Sequence, residues 1–285
     1  MIIDSHTHIF PPRVVSHRDE YIHRDPCFAL LYSNGKAKLA TVQELLVSMD
    51  RFEIEISVIA GIGWTTPELC RESNDYLLEC LTRYPHRLTG LASIQPKAGE
   101  LALKELERCV KGGVRGIGEM RPDMQGFDLA DDALLGELIS FLISGKLAWL
   151  SHASEPVGRT YAGKGTITPE ILYPFILRYP ELKIVLAHWG GGLPFYALMP
   201  EVKASLQNVF FDTAASPYLY APSVYRQALD IVGETKIVFG SDYPVVSQGR
   251  LLREIEAAGL GEKASSAIMC GNARRIFNLQ TEERT

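Results

Sequence analysis

Short apolar runs alternate along this chain with longer stretches in which apolar residues recur every three or four positions. The runs are rich in Val, Ile and Leu, which is typical of parallel strands covered on both faces, and the longer stretches have the spacing of amphipathic helices. The first run, at Ile2 and Ile3, leads into an opening strand that carries His6 and His8. The other predicted strands are 56–62, 88–94, 114–119, 147–151, 183–187, 209–211 and 236–241.

Helix start signals separate these strands. Thr41 and Glu44 have the spacing of a capping box, and Thr66-Pro67 and Thr168-Pro169 each place a capping residue before a proline, which is favoured at the first helical position. The predicted helices are at about 41–53, 66–84, 99–111, 132–144, 168–178, 222–232, 249–258 and 264–277.

Eight strand-then-helix units, with no block of strands or helices alone, predict a parallel sheet closed as a (β/α)8 TIM barrel, in a single domain over residues 1–285. The alternative is an open doubly wound sheet. That fold favours a Gly-x-Gly-x-x-Gly turn after the first strand, and this position holds His-Thr-His instead. Residues 11–40 lack a clear period, and we interpret them as a long lid or insertion loop after the first strand. Residues 121–131 are interpreted as a second loop.

The composition narrows the class of protein. Hydrophobic residues make up 46% and charged residues 22%, as in a folded globular protein, and the net charge of -5 comes without a basic run that would bind nucleic acid. The sequence has no secretory signal pattern and no apolar run of about 18 residues, so we expect a cytoplasmic protein without a membrane partner. The five cysteines form no Cys-x-x-Cys pair. We expect a small-molecule substrate, and association into a homo-oligomer is left open.

Candidate chemistry lies at the ends of the predicted strands. In a (β/α)8 barrel all strands end at the same face. The imidazole and carboxylate residues that end or follow strands one, four, five, six and eight are His6, His8, Glu119, His152, His188 and Asp242. Four of the seven histidines are among them. Taken alone, His6 and His8 are better explained as a strand cap and a loop residue, but the whole set predicts a divalent-metal site at the mouth of the barrel.

Five motifs carry these residues from the first strand to the last. They are Asp4-Ser5-His6-Thr7-His8, Gly118-Glu119, Ser151-His152, Ala187-His188-Trp189-Gly190-Gly191 and Gly240-Ser241-Asp242-Tyr243-Pro244. Together they resemble the amidohydrolase superfamily, in particular its amidohydrolase-related branch of metal-dependent TIM-barrel hydrolases and decarboxylases. The resemblance implies that His6, His8, His152 and Asp242 bind a divalent metal. It also implies that His188 is either a ligand of a second metal or a catalytic, substrate-contacting histidine.

Glu119 separates two activities within this resemblance. Decarboxylases of the branch need not have an acid after the fourth strand, whereas related deoxyribonuclease-like hydrolases use a glutamate there to bridge two metals. We therefore predict a metal-dependent hydrolase that acts on an amide, lactone or ester. A metal-dependent non-oxidative decarboxylase is the alternative, and a barrel that binds metal without catalysis is a third hypothesis.

The ligand types predict the metal and its chemistry. Nitrogen and oxygen donors without sulfur favour zinc, with manganese or iron also compatible, as one ion or two. Such an ion lowers the pKa of bound water towards 7 and polarises a carbonyl. Asp242 is the predicted catalytic base, and His188 is the second catalytic candidate.

Side chains that follow strands four, five and six are candidates for substrate binding. These are Arg121, Arg159, Tyr161, Lys164 and Trp189. For each, the alternative is a solvated loop residue. We interpret Asp4 either as a residue that positions a metal ligand or as one that satisfies backbone groups, and Asp212 as an anchor for the loop after the seventh strand.

Overall fold

Eight parallel strands form the centre of the fold in the computed structural model, which describes residues 1–279. They are β1 (Ile3–Thr7), β2 (Ile56–Ile59), β3 (Leu88–Gly90), β4 (Gly116–Met120), β5 (Ala148–Ser151), β6 (Lys183–Leu186), β7 (Val209–Asp212) and β8 (Ile237–Val238). β1 to β3 pair in chain order, and so do β4 to β8. Each strand therefore lies beside the next one in the sequence, as crossover helices require.

Backbone contacts join these two sheets into a closed barrel. After β3, Ala92 pairs in parallel with Ile117 of β4. Between the first and last strands, the Ser5 N–H donates to the Phe239 carbonyl at 2.8 Å. The predicted (β/α)8 barrel is therefore confirmed.

Alternate residues of the strands pack inside and outside the barrel. On β6, Val185 packs in the interior with Val58 and Leu150, whereas its neighbours Ile184 and Leu186 pack against the helices. Successive side chains of a strand point to opposite faces, and here both faces are covered. This explains why the strand sequences are unbroken apolar runs rather than alternating ones.

Helices follow the strands and cover the outside of the barrel. The longer ones are Val42–Arg51, Pro67–Arg83, Glu100–Lys111, Asp132–Ser144, Pro169–Arg178, Val224–Val232 and Gln248–Ala257. Shorter ones are Leu193–Tyr196, Pro200–Ser205, Ser216–Leu219, Glu262–Ser266 and Asn272–Ile276. The capping box of Thr41 and Glu44 forms as predicted, and the Thr66 side chain accepts a hydrogen bond from Leu69 N at 3.3 Å. No helix within residues 1–279 is long and apolar enough to cross a membrane.

The prediction of a loop over residues 11–40 is wrong for most of its length. Three short helices lie there, Pro12–Ser16, Arg18–Arg24 and Pro26–Tyr32. The last begins with the same cap-then-proline pattern that identified later helices, since the Asp25 carboxylate accepts a hydrogen bond from Phe28 N at 2.8 Å. The second predicted loop, 121–131, likewise contains one helical turn, Pro122–Gln125.

An aromatic cluster holds the three N-terminal helices against the barrel. It consists of Phe10, Tyr21, Phe28, Tyr32 and Trp64. Phe28 stacks on Trp64 with the ring centroids 5.5 Å apart. These contacts join residues far apart in the sequence, so no local period indicates them. The role of this segment as a lid stays a prediction.

Candidate metal centre

His6, on β1, and His8, directly after that strand, are both buried at the mouth of the barrel. Their Nε2 atoms are 3.0 Å apart. The other ring nitrogen of each is fixed from outside: His6 Nδ1 lies 2.7 Å from Asp212 Oδ2, and His8 Nδ1 lies 3.0 Å from the Ala60 carbonyl oxygen. Because a carbonyl oxygen only accepts, His8 Nδ1 donates and its Nε2 lone pair is free to bind a metal.

Asp242 approaches the same point from the turn after β8. Its Oδ1 is 3.2 Å from His8 Nε2 and 3.9 Å from His6 Nε2. Asp242 has a left-handed φ of 65°, a conformation that costs energy outside glycine and that concentrates at functional sites. Asp4 stabilises this turn, because its carboxylate accepts hydrogen bonds from Ser241 N at 2.9 Å and Ser241 Oγ at 2.6 Å. Asp4 therefore positions the turn that carries Asp242.

Glu119, on β4, lies between two groups of side chains. Its Oε2 is 3.6 Å from His6 Nε2 and 3.7 Å from His8 Nε2. Its Oε1 is 2.8 Å from His152 Nδ1 and 3.5 Å from His188 Nε2. In each of the two resulting triplets, one donor atom from every residue lies within 4.8 Å of the others. All six residues predicted at the strand ends thus come together in one buried cluster, which we call the metal cluster.

Asp212 supports the metal cluster from behind. One of its carboxylate oxygens faces the His6 ring, and the other accepts hydrogen bonds from the backbone N–H groups of His188 and Ala214 at 2.8 and 3.0 Å. His188 has a left-handed φ of 57°, and its Nδ1 is 3.3 Å from the Ala214 carbonyl oxygen. Asp212 is therefore more than the predicted loop anchor, and its position at the end of β7 matches that of the other site residues.

The spacing of the donor atoms fits a bound divalent cation. For metal–ligand bonds of about 2.1 Å, neighbouring ligand atoms are about 3.0 Å apart at right angles and about 3.4 Å apart at tetrahedral angles. The distances given above among donors of His6, His8, Glu119 and Asp242 run from 3.0 to 3.9 Å. These four residues are at most 7% exposed, and they offer only imidazole nitrogen and carboxylate oxygen.

The charges in the metal cluster also require a cation. Burial raises the pKa of Glu119 and Asp242, but hydrogen bonds and charge from the neighbouring imidazoles outweigh it and hold both pKa values below their usual range. Burial lowers the pKa of His188, whereas its contact with Glu119 raises it to about 9. Burial and the nearby Arg121 charge lower the pKa of His152 to about 4. Both carboxylates are therefore ionised at neutral pH and need buried positive charge, from protonated imidazole or from a metal.

A pocket of about 240 Å³ opens onto the metal cluster. Of the predicted substrate-binding residues, Arg121, Arg159 and Tyr161 line it. The larger lining side chains that were not predicted from the sequence are Leu31, Tyr32, Ile62, Tyr218, Leu219 and Val245. They come from the segments after β1, β2, β7 and β8, whose conformations depend on contacts distant in the sequence.

Two of the predicted substrate-binding residues, Trp189 and Lys164, do not line this pocket. Trp189 is fully buried, where it packs edge-on against Tyr225 and donates from Nε1 to Ser216 Oγ at 2.6 Å. Lys164 donates from Nζ to the Val157 carbonyl at 2.8 Å within its own loop. A large aromatic side chain packs where it removes most apolar surface from water, and here that place is the helix layer.

Comparison with known proteins shows the family. The chain belongs to the amidohydrolase family, whose model, described as "Amidohydrolase", matches residues 3–279. The 2-amino-3-carboxymuconate-6-semialdehyde decarboxylase of Dictyostelium discoideum is 22% identical, over 97% of this chain and 91% of its own. The gamma-resorcylate decarboxylase of a Polaromonas species is 24% identical, over 74% of this chain and 77% of its own. The 5-carboxyvanillate decarboxylase of Novosphingobium aromaticivorans, solved with manganese and 4-hydroxy-3-methoxy-5-nitrobenzoic acid, has a similar fold, with a TM-score of 0.79 and 17% identity over 98% of this chain and 96% of that one.

These relatives correct the predicted activity. The hydrolase prediction relied on Glu119 after the fourth strand, and it is wrong, because the named relatives are decarboxylases and support the alternative instead. The physical reason lies in the contacts of Glu119, which hydrogen-bonds His152 as well as facing His6 and His8. Such a carboxylate can orient an imidazole without any attacking water, so its presence does not specify hydrolysis. Zinc is also not confirmed, since the solved neighbour holds manganese.

Proposed function

We propose that this protein is a metal-dependent, non-oxidative decarboxylase of a small aromatic carboxylic acid. The observation that carries the proposal is the buried metal cluster of four imidazoles and two carboxylates at the floor of the pocket. Two relatives that match this chain over nearly its whole length are named as decarboxylases, which supports the reaction class. Such a cluster, rather than the fold, is what identifies an activity among TIM barrels.

The pocket supports a substrate of one ring. An apolar cavity of about 150 Å³ holds benzene, so the pocket of about 240 Å³ has room for a ring with a few substituents. Tyr32, Tyr161 and Tyr218 offer aromatic faces to that ring, and Arg121 and Arg159 offer positive charge to a carboxylate.

His6, His8 and Asp242 would hold the metal, with Glu119 and His152 as the neighbouring predicted ligands. When bound, a divalent ion supplies positive charge that binds the substrate's oxygen atoms and stabilises negative charge developed in the reaction. Manganese is the ion we favour, because the donor set contains only nitrogen and oxygen and the solved neighbour carries manganese. Zinc stays a prediction from the sequence.

His188 is the residue that we assign as proton donor. Decarboxylation breaks the bond between the ring carbon and the carboxylate, carbon dioxide leaves, and the electron pair stays on the ring carbon until a proton replaces the lost group. His188 lines the pocket, and its pKa of about 9 keeps Nε2 protonated at neutral pH. After the transfer, His188 regains a proton from solvent. Asp242 stays ionised, which suits a metal ligand better than a proton donor.

Release of carbon dioxide tests the proposal. The purified protein is stripped with a chelator, reloaded with Mn²⁺ or Zn²⁺, and incubated with hydroxybenzoic acids that differ in the position of the hydroxyl group. We expect carbon dioxide and the decarboxylated phenol in equal amounts from at least one acid, only after metal loading. His188→Gln is expected to keep its metal content and lose turnover. No carbon dioxide from any acid with the Mn²⁺-loaded protein would contradict the proposal.

A further inference from the structure

Ser154 lies between the metal cluster and a loop that forms part of the pocket wall. It is fully buried, two residues after His152. Its Oγ is 3.0 Å from His152 Nε2 and accepts a hydrogen bond from the Gly165 N–H at 2.9 Å. A hydroxyl has one proton and two lone pairs, so it can pair with the His152 ring as donor or as acceptor while Gly165 stays bonded. One side chain therefore contacts both a member of the metal cluster and the far end of the loop.

The loop that follows Ser154 is closed at its base. In addition to the bond that its hydroxyl accepts, the Ser154 N–H donates to the Ile167 carbonyl at 2.8 Å. The chain thus returns to its starting point after residues 155–165, which we call the pocket loop. Arg159 and Tyr161 of the pocket loop line the pocket. The place of these side chains in the pocket wall is therefore set by the contacts at Ser154.

The backbone of Ser154 is held as closely as its hydroxyl. A Cβ at Gly191 would lie 2.3 Å from the Ser154 carbonyl oxygen, and Gly191 has a left-handed φ of 61°. Glycine adopts this conformation without strain, so the turn after β6 packs directly on the Ser154 backbone. The hydroxyl therefore has a fixed position from which it can orient the His152 ring.

The contact with Ser154 determines how the His152 ring faces the metal cluster. While Nε2 contacts Ser154, Nδ1 lies 2.8 Å from Glu119 Oε1. A half turn of the ring would place carbon atoms at both positions and lose both hydrogen bonds. The other carboxylate oxygen of Glu119 faces the Nε2 atoms of His6 and His8. A continuous series of polar contacts thus joins the pocket loop to the predicted metal ligands.

We propose that Ser154 is a positioning residue that couples the pocket loop to the metal cluster through the His152 ring. This inference rests on the proposed function, which places the reacting group of the substrate beside the metal cluster and His188. The same hydroxyl orients the His152 ring on the cluster side and closes the pocket loop on the substrate side. Such coupling is reciprocal, so a metal that orders the cluster also stabilises the closed loop.

Hydrogen exchange measured by mass spectrometry tests this coupling without turnover. In the wild-type protein, we expect Mn²⁺ to slow exchange over residues 155–166 by about 5-fold or more, relative to the outer helix Asp132–Ser144, as one better-formed hydrogen bond provides. Ser154→Ala should exchange faster than the wild type in this segment and should show no slowing with Mn²⁺. Ser154→Thr, which keeps the hydroxyl, should retain the slowing.

A matched control comes from Ser57→Ala on β2. Ser57 is also fully buried, and its hydroxyl has no hydrogen-bond partner within residues 1–279. We expect it to exchange and turn over as the wild type does. Under the proposed function, Ser154→Ala should lower kcat by about 10- to 100-fold, as the loss of a group that orients a site histidine does. Ser154→Thr should recover most of that kcat.

Two outcomes would overturn the inference. Equal slowing by Mn²⁺ in the wild type and Ser154→Ala would show that the coupling does not pass through Ser154, and no slowing in the wild type would show that loop and cluster are independent. His152→Gln, which removes the ring from the other side of the contact, should also lose the slowing, and it replaces Ser154→Ala if that variant does not fold. Carbon dioxide release by the wild-type protein tests the proposed function alone, so the two failures are distinguishable.

Discussion

The metal cluster has two halves that differ in how their imidazoles are held. The first half consists of His6, His8 and Asp242, and the second half consists of Glu119, His152 and His188. In the first half, Nδ1 of each histidine contacts an oxygen outside the cluster, so the two Nε2 atoms face each other. In the second half, His152 is bonded on both sides, by Glu119 at 2.8 Å and by Ser154 Oγ at 3.0 Å. Both ring nitrogens of His152 are thus engaged by oxygen atoms, whereas the Nε2 atoms of His6 and His8 face each other and Asp242.

The two halves also differ in the protonation of their imidazoles. Burial lowers the pKa of His6, but the charges of Asp212 and Glu119 raise it well above its usual value. By contrast, burial and Arg121 lower the pKa of His152 to about 4, so this ring is neutral at pH 7. Each half thus contains a carboxylate that needs buried positive charge, which protonated His188 supplies in the second half and which His6 or a metal supplies in the first. We expect the metal in the first half and the reacting carboxylate of the substrate beside the second.

The largest expected effect comes from Asp242→Asn, which removes the carboxylate of the first half. Without that charge the metal loses a ligand, and we expect kcat to fall by about 1,000-fold or more. Turnover and manganese content per chain measure the effect, with circular dichroism to verify folding. Asp19→Asn, an exposed position, is the control. Activity within tenfold of the wild type would contradict a metal-binding site in the first half.

A smaller effect is expected from Asp212→Asn, which changes the carboxylate that contacts a histidine of each half. Asp212 orients the His6 ring and also accepts the His188 N–H. Loss of a carboxylate behind a metal-binding histidine typically reduces metal affinity about 10- to 100-fold. Calorimetric titration with Mn²⁺ measures that loss. An unchanged Kd would mean that the His6 ring is positioned without Asp212.

The pH dependence of metal binding tests the charge difference between the halves. Because the pKa of His6 is raised, its Nε2 is protonated in the metal-free protein, and the metal has to displace that proton. Affinity for Mn²⁺ should therefore increase with pH by about tenfold per unit near neutrality, until the pH passes the raised pKa. Titrations at about pH 6, 7 and 8 measure the slope. A flat profile would show that no proton leaves the first half.

The barrel and the strand-end residues follow from local patterns in the sequence. Unbroken apolar runs predict buried parallel strands, and the closure of a parallel sheet brings their ends together, so His6, Glu119 and Asp242 meet without any further information. The activity does not follow in this way. Imidazole and carboxylate ligands serve hydrolysis and decarboxylation equally, so Glu119 was a weak guide to the reaction.

The remaining differences arise from contacts that no local period encodes. The helix Pro26–Tyr32 is stabilised by the contact of Phe28 with Trp64, 36 positions later in the sequence. Trp189 faces the helix layer in a chain segment where His188 and Trp189 both have left-handed φ values, 57° and 56°. Residue type alone does not predict this conformation, because it is unfavourable for both. The sequence therefore predicts the metal cluster better than the other side chains that line the pocket.

The smallest expected effect comes from Trp189→Phe, a substitution directly after His188 of the second half. The substitution keeps most of the buried aromatic surface and removes the hydrogen bond from Nε1 to Ser216 Oγ. A buried hydrogen bond contributes about 1 kcal/mol, so the free energy of unfolding should fall by about that amount, with Ser216 left partly unpaired. Denaturant unfolding measures this change, and Mn²⁺ titration should give the wild-type Kd. A loss of manganese affinity as large as that of Asp212→Asn would mean that the second half helps to hold the metal, because Trp189 is next to His188 in the chain.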